Sequence, residues 1–330
     1  MLQEYYNSIK INKMNVMSMN FLKKPLIHYL QKENKNIKFI LQKLLKNNKF
    51  FYLDIGAAEG TPKRWKIVEN IVEKILIEPH PESAKELRDM GYNVIDKVLY
   101  SKTNIDLSFN HAKKKMCSSF LDPNLNHLSK FSNSERFHVV KKTKFNTSTL
   151  DEELRKVNKK PDFMKIDAEG TEIEILKGST QSLKNMLGIE IEGSFFQIRK
   201  NQPLVNDILK FLSSAEFEFI DFLSIIRWDK YKYRYTGQPQ ITDLLFLVRP
   251  ETVIKKYNQK IYSREKLLNY ISILTVYLRS DYLKFLNNEK SIRKEIPELK
   301  NLCKLVDTKI NRINLIEEYS NILKNKIYNL

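Results

Sequence analysis

A doubly wound α/β sheet with an antiparallel edge is the fold that the 330-residue sequence predicts, and three observations predict it. Between residues 50 and 250 short apolar runs alternate with helix-spaced amphipathic segments. The runs are continuous rather than alternating, so both faces are buried, as in parallel strands. A glycine-rich turn stands directly after the first run, where folds of this kind cradle a ligand.

Residues 1–49 read as a helical N-terminal extension, with Ile37, Ile40, Leu41, Leu44 and Leu45 at helical spacing. Phe51 to Ile55 is the first strand, ended by Gly56, and Thr61-Pro62 offers an N-cap and a first-turn proline for a helix. Lys74 to Glu78 is the second strand, stopped by Pro79 and Pro81. A helix over 82–90 ends at Gly91, and Tyr92 to Val98 is the third strand. Asn104 to Phe109 alternates like a hairpin strand, and 110–136 reads as irregular and polar. Phe163 to Asp167 is a fourth buried strand, followed by a helix from Gly170 to Gly178. Leu187 to Glu192 is the fifth strand and Leu204 to Leu212 a helix. Phe217 to Phe222 and Leu244 to Val248 close the sheet; no good helix separates them, hence the antiparallel edge.

Beyond Pro250 the strand pattern stops. Leu267, Leu268, Ile271, Leu274 and Leu278 share one helical face. Leu299, Leu302, Val306, Ile310, Ile313, Ile316, Leu323, Ile327 and Leu330 continue at mostly three- and four-residue steps, which predicts a long helix after Pro297. The expected organisation is therefore a helical extension over 1–49, a catalytic domain over 50–250 and a basic helical extension over 251–330. A self-packed helical hairpin, a dimerising coiled coil that would make a homo-oligomer, and a helix for an acidic partner or membrane surface all satisfy the C-terminal pattern.

Lys and Arg number 57 against 39 Asp and Glu, a formal charge of +18. Residues 1–50 hold a surplus of 8 and residues 251–330 a surplus of 7, which leaves 3 for the middle 200. The charge describes a docking surface more than the chemistry. Two distant cysteines, Cys117 and Cys303, exclude a disulfide framework and a cysteine-based zinc site, so a reducing, cytoplasmic setting is expected. The longest uncharged apolar stretch, Leu267 to Leu278, is well short of the ~20 residues of a membrane span, and no basic-then-apolar leader opens the sequence.

The turn after the first strand reads Asp54-Ile55-Gly56-Ala57-Ala58-Glu59-Gly60. Glycines there let backbone amides approach a ligand that a Cβ would block. The spacing G-x-x-x-G departs from the dinucleotide G-x-G-x-x-G and weakens a nicotinamide reading. Asp54 and Glu59 suit a cation better than a pyrophosphate, and S-adenosylmethionine carries both an ammonium and a sulfonium. Glu78 ends the second strand 24 residues after Asp54, where a carboxylate can accept both ribose hydroxyls. The cofactor-binding set is thus Asp54, Gly56, Ala57, Glu59, Gly60 and Glu78.

Residues 162–178 read Asp-Phe-Met-Lys-Ile-Asp-Ala-Glu-Gly-Thr-Glu-Ile-Glu-Ile-Leu-Lys-Gly. Lys165, Asp167 and Glu169 alternate, so a strand running that far would place them on one face. Ionisable groups at the end of a buried strand are costly unless paired or used. A salt-bridged helix start accounts for Glu172 and Glu174 but not for Lys165 and Asp167.

On these blocks the sequence strongly resembles the FkbM-type methyltransferases. The family's D-x-G-A-x-x-G loop is Asp54 to Gly60, its E-P-x-P is Glu78-Pro79-His80-Pro81, and its Ser-Ser pair is Ser118-Ser119. Its T-L-D is Thr149-Leu150-Asp151, and its K-I-D-x-E-G-x-E-x-x-x-L-K-G is Lys165 to Gly178, followed by an acidic fifth strand with Glu190 or Glu192. The resemblance covers 50–248. Ala58 and Val98 depart from the usual residues, and the flanks match nothing in the family core. The resemblance implies a Rossmann-like class I methyltransferase fold, a seven-stranded, mostly parallel sheet, with S-adenosylmethionine over the carboxyl ends of strands one, two and four. It implies that Glu78 holds the ribose, that Gly56 to Gly60 lies along the methionyl part, and that Asp54 orients the ammonium. Asp167 then faces the methyl group. The expected catalytic residues are Asp167 and Glu169, one of them a base for a hydroxyl acceptor, with Lys165 paired to one of the two.

Other features carry less. His80 sits between prolines as a turn residue, and His28, His111, His127 and His138 lack metal spacing, so no metal is assigned. The stretch Arg227-Trp228-Asp229-Lys230-Tyr231-Lys232-Tyr233-Arg234-Tyr235 interleaves bases with aromatics and suits substrate recognition or an ordinary surface loop. Lys113-Lys114-Lys115 is a solvated run. The expected activity is O-methylation of a sugar, glycan or other small hydroxylated metabolite. A nucleic-acid (ribose 2′-O) methyltransferase or nucleic-acid-binding protein is the alternative, and a non-catalytic scaffold the third. No Asn/Asp-Pro-Pro-aromatic block and no Pro-Cys pair supports base methylation.

Overall fold

The computed structural model describes residues 31–46, 48, 50–230 and 237–328, the side chains of 59 and 316–328 excepted. The chain divides into two compact units. One comprises Asn48–Lys63 and Ile71–Tyr270; the other comprises the described parts of Met1–Asn47, Arg64–Asn70 and Ile271–Leu330.

In chain order the elements are α1 (31–44), β1 (Phe50–Ile55), β2 (Val72–Ile77), α2 (Pro81–Asp89), β3 (Asn93–Ile95), β4 (Val98–Leu99) and β5 (Asp106–Ala112). They continue as α3 (Leu125–Leu128), β6 (Val139–Ser148), α4 (Leu150–Lys156), β7 (Phe163–Ile166), α5 (Glu172–Lys177), α6 (Thr180–Leu183) and β8 (Gly188–Ser194). Then follow α7 (Val205–Ser214), β9 (Phe217–Trp228), β10 (Gln238–Val248), α8 (Pro250–Asn258), α9 (Arg264–Val276), α10 (Ser280–Asn288), α11 (Lys290–Glu295) and α12 (Leu299–Tyr328).

Seven strands form one sheet in the order β3-β2-β1-β7-β8-β10-β9. The first five run parallel, and β10 is antiparallel to both β8 and β9. This is the Rossmann-like α/β sheet with an antiparallel edge. Its centre is apolar: Leu53, Phe163, Met164, Ile189, Ile191, Leu244 and Phe246 are fully buried, and Tyr52 stacks on Phe163 at 6.0 Å. Strand order reverses between β1 and β7, and in open α/β sheets a ligand crevice opens at the carboxyl ends of the strands flanking such a point.

Where the structure differs from the sequence reading, a local cause is visible. The helix expected after Thr61-Pro62 is a six-residue 3₁₀ segment, Lys63–Val68; β-branched Ile67 and Val68 disfavour continuation as α-helix. The third strand splits: β3 pairs with β2, whereas β4 leaves the main sheet to pair with β6. The expected hairpin strand is β5, and its partner β6 carries Lys141, Lys142 and Lys144 at exposed positions. The fourth strand stops at Ile166, so Lys165, Asp167 and Glu169 do not share a strand face.

In the helical unit, Ile37, Leu41, Leu45, Ile271, Leu274, Leu299, Leu302 and Val306 are buried. Arg312 forms an ion pair with Glu33, and Trp65 meets Tyr277 edge-on at 6.0 Å. The expected long C-terminal helix is α12. The side chains of Ile316, Leu323 and Ile327, together with Leu330, His28 and residues 1–30 and 231–236, lie outside the described residues. Among the described residues no helix is long and apolar enough to cross a membrane.

Candidate active site

The first strand delivers two groups to the crevice. Asp54 is fully buried, and neither of its carboxylate oxygens has a hydrogen-bond partner. Lys165 Nζ stands 4.0 Å from Oδ1. Burial is the main force on Asp54 and pushes its carboxyl from 3.8 to about 7, against the attraction of Lys165 and with the repulsion of Asp167 and Glu190. Gly56 follows at φ 79°, in the left-handed region. Its N–H donates to Ile77 O at 3.0 Å. A Cβ at Gly56 would collide with the main-chain oxygen of Asp167, so only glycine lets the loop run this close to the end of β7. Ala57 is buried and Gly60, at φ 75°, ends the short turn. The side chain of Glu59 lies outside the described residues.

The second strand delivers Glu78. Its carboxylate is buried at the β2 end and accepts the His80 N–H at 2.8 Å. Burial holds its pKa above the ordinary range, against that bond and the charge of Lys115. His80 then caps α2, whose first residue is Pro81.

The register of the sheet places Asp54 beside Lys165, and Lys165 beside Glu190, in one row across β1, β7 and β8. Lys165 donates to Asp167 Oδ2 at 3.1 Å. Burial works against its ammonium, but Asp167 and Asp54 outweigh burial and hold the lysine charged. Asp167 is one-third exposed (33%) at the mouth of the crevice, and Lys165 is not (13%). Of the two expected partners for Lys165, the structure brings in Asp167.

Glu169 is held by a different cation. It sits at φ 56°, followed by Gly170 at φ 110°. Its main-chain oxygen accepts from Ser119 Oγ at 2.7 Å, and its carboxylate forms an ion pair with Arg199, which is 2% exposed. Burial raises the Glu169 pKa despite Arg199, with Asp167 and Glu172 adding to the rise. Glu172 Oε1 accepts the N–H groups of Ala168 and Gly170, each at 3.0 Å, and so ties the loop to the start of α5. Glu192, on β8, is raised well above the carboxylate range by burial and then by Asp167, Glu169 and Glu172. Both fifth-strand glutamates thus face this region: Glu190 beside Lys165, Glu192 beside the Asp167–Glu169 loop.

Several motif residues build the frame instead. Ser118 Oγ accepts from Ala112 N at 3.0 Å, and Ser119 Oγ also accepts from Leu121 N at 3.0 Å. Thr149 caps α4 through Glu152 N at 3.2 Å. Asp151 receives Gln181 N at 2.9 Å and Ser182 N at 2.8 Å, which caps α6. Arg199 escaped the sequence reading altogether: it lies in the loop after β8, 30 residues from Glu169 and outside every motif block. Among the described residues no group of three or more His, Cys, Asp or Glu is set to hold a metal ion.

Comparison with known proteins adds a family. The model described as "Methyltransferase FkbM domain" matches residues 54–219, half of the chain. No curated protein matches. Among solved structures the chain is similar to a methyltransferase FkbM from Methylobacillus flagellatus KT, at 13% identity and a TM-score of 0.35. That match covers 60% of this chain and 43% of the other, so the chain spans less than half of that relative's length. It is also similar to magnesium protoporphyrin IX methyltransferase from Synechocystis PCC 6803, solved with bound SAM (8% identity, TM-score 0.33, 67% and 80% covered). A third similarity is to TrmK of M. capricolum, solved with S-adenosyl-homocysteine (13% identity, TM-score 0.31, 83% and 97% covered).

Proposed function

The chain belongs to the FkbM methyltransferase family, and from that premise we propose that it transfers a methyl group from S-adenosylmethionine to a hydroxyl of a sugar, glycan or other small metabolite. One observation carries the cofactor part. Asp54 presents two buried carboxylate oxygens without hydrogen-bond partners beside a glycine turn, at the point where strand order reverses. Lys165 stands 4.0 Å away, beyond hydrogen-bond reach, so a hydrogen-bonding ammonium is the complement this group lacks. Glu78 has one oxygen on His80 N, and its carboxylate retains acceptor capacity for ribose hydroxyls. The residues present therefore fit the cofactor.

When bound, S-adenosylmethionine supplies a methyl group activated on a sulfonium. Asp54 holds the ammonium, the backbone from Gly56 to Gly60 lines the methionyl portion, and Glu78 accepts the ribose hydroxyls. Either Asp167 or Glu169, both at the crevice mouth, receives the proton of the acceptor hydroxyl. Lys165 keeps Asp167 oriented through its 3.1 Å bond. Positioning supplies much of the rate, and a base within hydrogen-bond reach adds ~10²–10⁴-fold.

The acceptor side favours a neutral ligand. Asp167 and Glu169 stand at the mouth with Lys165 and Arg199 as their respective cations, while Glu172 is buried and held by the Ala168 and Gly170 N–H groups. Both cations are already in ion pairs, which favours a neutral glycan over a phosphodiester. A cytoplasmic setting belongs to the same proposal, as does any pairing of copies through the C-terminal helices. Calorimetry with S-adenosylhomocysteine, followed by a screen of hydroxylated acceptors with labelled S-adenosylmethionine, tests the reading. Binding lost by ~10-fold or more in Glu78→Ala supports the ribose role; equal affinity in that variant refutes it.

A further inference from the structure

Two carboxylates stand at the mouth, and each has its own cation. The two pairs are built differently. Lys165 belongs to the sheet row and serves Asp54, Asp167 and Glu190 together. Arg199 is fixed in place for its ion pair with Glu169. Its main-chain N–H donates to Gln202 Oε1 at 3.1 Å, and Gln202 Nε2 donates to Ser194 Oγ at 2.9 Å. Its guanidinium lies 6.0 Å from the centre of the Phe137 ring and donates to Cys117 O at 3.5 Å as well as to Glu169. A Cβ on Gly170 would come within 3.5 Å of Arg199 Cδ, so the arginine packs directly against the loop that carries Glu169.

We propose that Arg199 is a positioning residue: it captures the Glu169 carboxylate and leaves Asp167 as the group that takes the acceptor's proton. The proposal rests on the methyl-transfer reading of this crevice. A guanidinium stays protonated through the working range and cannot hand a proton on. A carboxylate paired with it is fixed in place by the ion pair. Asp167 instead follows β7 directly, with its N–H on Ile55 O at 3.0 Å and its carbonyl against the Gly56 turn. That places it one step closer to the cofactor loop than Glu169. The titratable and charged groups that act on Glu169 include Arg199, Asp167, Glu172, Glu192 and Cys117. Arg199 is the cation among them, so its loss leaves the carboxylates of the loop and of β8 to repel one another.

The test reads Glu169 directly and needs no acceptor. The full chain is labelled at the glutamate carboxyl carbon, Glu169 is assigned by comparison with Glu169→Gln, and its titration is followed by NMR. Arg199→Gln should move its midpoint up by one to three pH units, the size expected for losing an adjacent opposite charge. Arg199→Lys should restore most of that shift. A midpoint that stays put in Arg199→Gln, or a lysine that restores nothing, overturns the proposal. If Arg199→Gln fails to fold, Arg199→Gln/Glu169→Gln should fold better, because it removes the stranded carboxylate; a double variant no more stable than the single overturns it too. S-adenosylhomocysteine calorimetry on the same samples keeps the two ideas apart. A wild-type chain that ignores the nucleoside ends the methyl-transfer reading, while the Glu169 titration still judges Arg199.

Discussion

Replacing Asp54 by Asn should stabilise the protein at alkaline pH and barely do so in acid. The folded state holds the Asp54 carboxyl at about 7, against 3.8 in an ordinary setting. Between those two values the unfolded chain ionises the group and the folded chain does not, so stability falls as pH rises, and the loss levels off above 7. Asn removes the ionisation. At about 1.36 kcal/mol per pKa unit, its benefit is about 1.7 kcal/mol at pH 5 and about 4 kcal/mol at pH 8, before a constant cost for burying an amide without partners. That constant cancels when the two pH values are compared, and the remaining difference is about 2.5 kcal/mol in favour of pH 8. Urea unfolding of wild type and Asp54→Asn at both pH values measures it. Equal effects at pH 5 and pH 8 would show that Asp54 ionises normally and that burial costs it nothing. The same variant should lose affinity for S-adenosylhomocysteine, so that the group which destabilises the free protein is the one that binds.

Wild-type affinity for S-adenosylhomocysteine should tighten as pH rises from 6 to 8, by up to about tenfold per unit below 7, because the ammonium binds the ionised Asp54; calorimetry at three pH values would show a flat profile if Asp54 is not the partner. Gly56→Ala should destabilise the chain by about 1–3 kcal/mol, from the left-handed backbone and the collision with Asp167 O, and should weaken cofactor binding; a urea midpoint equal to wild type would contradict the close approach. Asp167→Asn should lower transfer by ~10²–10⁴-fold while S-adenosylhomocysteine still binds, and Glu169→Gln should cost less; the reverse ranking in labelled-methyl turnover would move the base to Glu169.

Much of the sheet was legible because it is written in continuous apolar runs. Phe163 to Ile166 and Leu187 to Ile191 have no other reading once both faces are buried. Asp54 and Glu78 stand out in the sequence for a related reason: each is an acid at the carboxyl end of such a run, where a buried charge is costly unless paired or used. What failed to read was polar or non-local. β6 hides behind Lys141, Lys142 and Lys144, because a strand of the small separate sheet exposes one face and needs little apolar pattern. The shared face of Lys165, Asp167 and Glu169 did not form, because the backbone leaves β7 after Ile166 and turns left-handed at Glu169. Arg199 could not be found at all. Its meaning comes from a partner 30 residues away, and no periodicity links a loop arginine to a loop glutamate. Ser119, Asp151 and Glu172 sit in motif blocks that look chemical, yet their side chains cap helices and close loops.

The coordinates of a complex with S-adenosylhomocysteine test the central claim most directly. Both ribose hydroxyls should lie within ~3 Å of the Glu78 carboxylate, the ammonium beside Asp54, and the sulfur on the side facing Asp167. A nucleoside seated elsewhere, with the carboxylates of Glu78 and Asp54 untouched, would contradict the account.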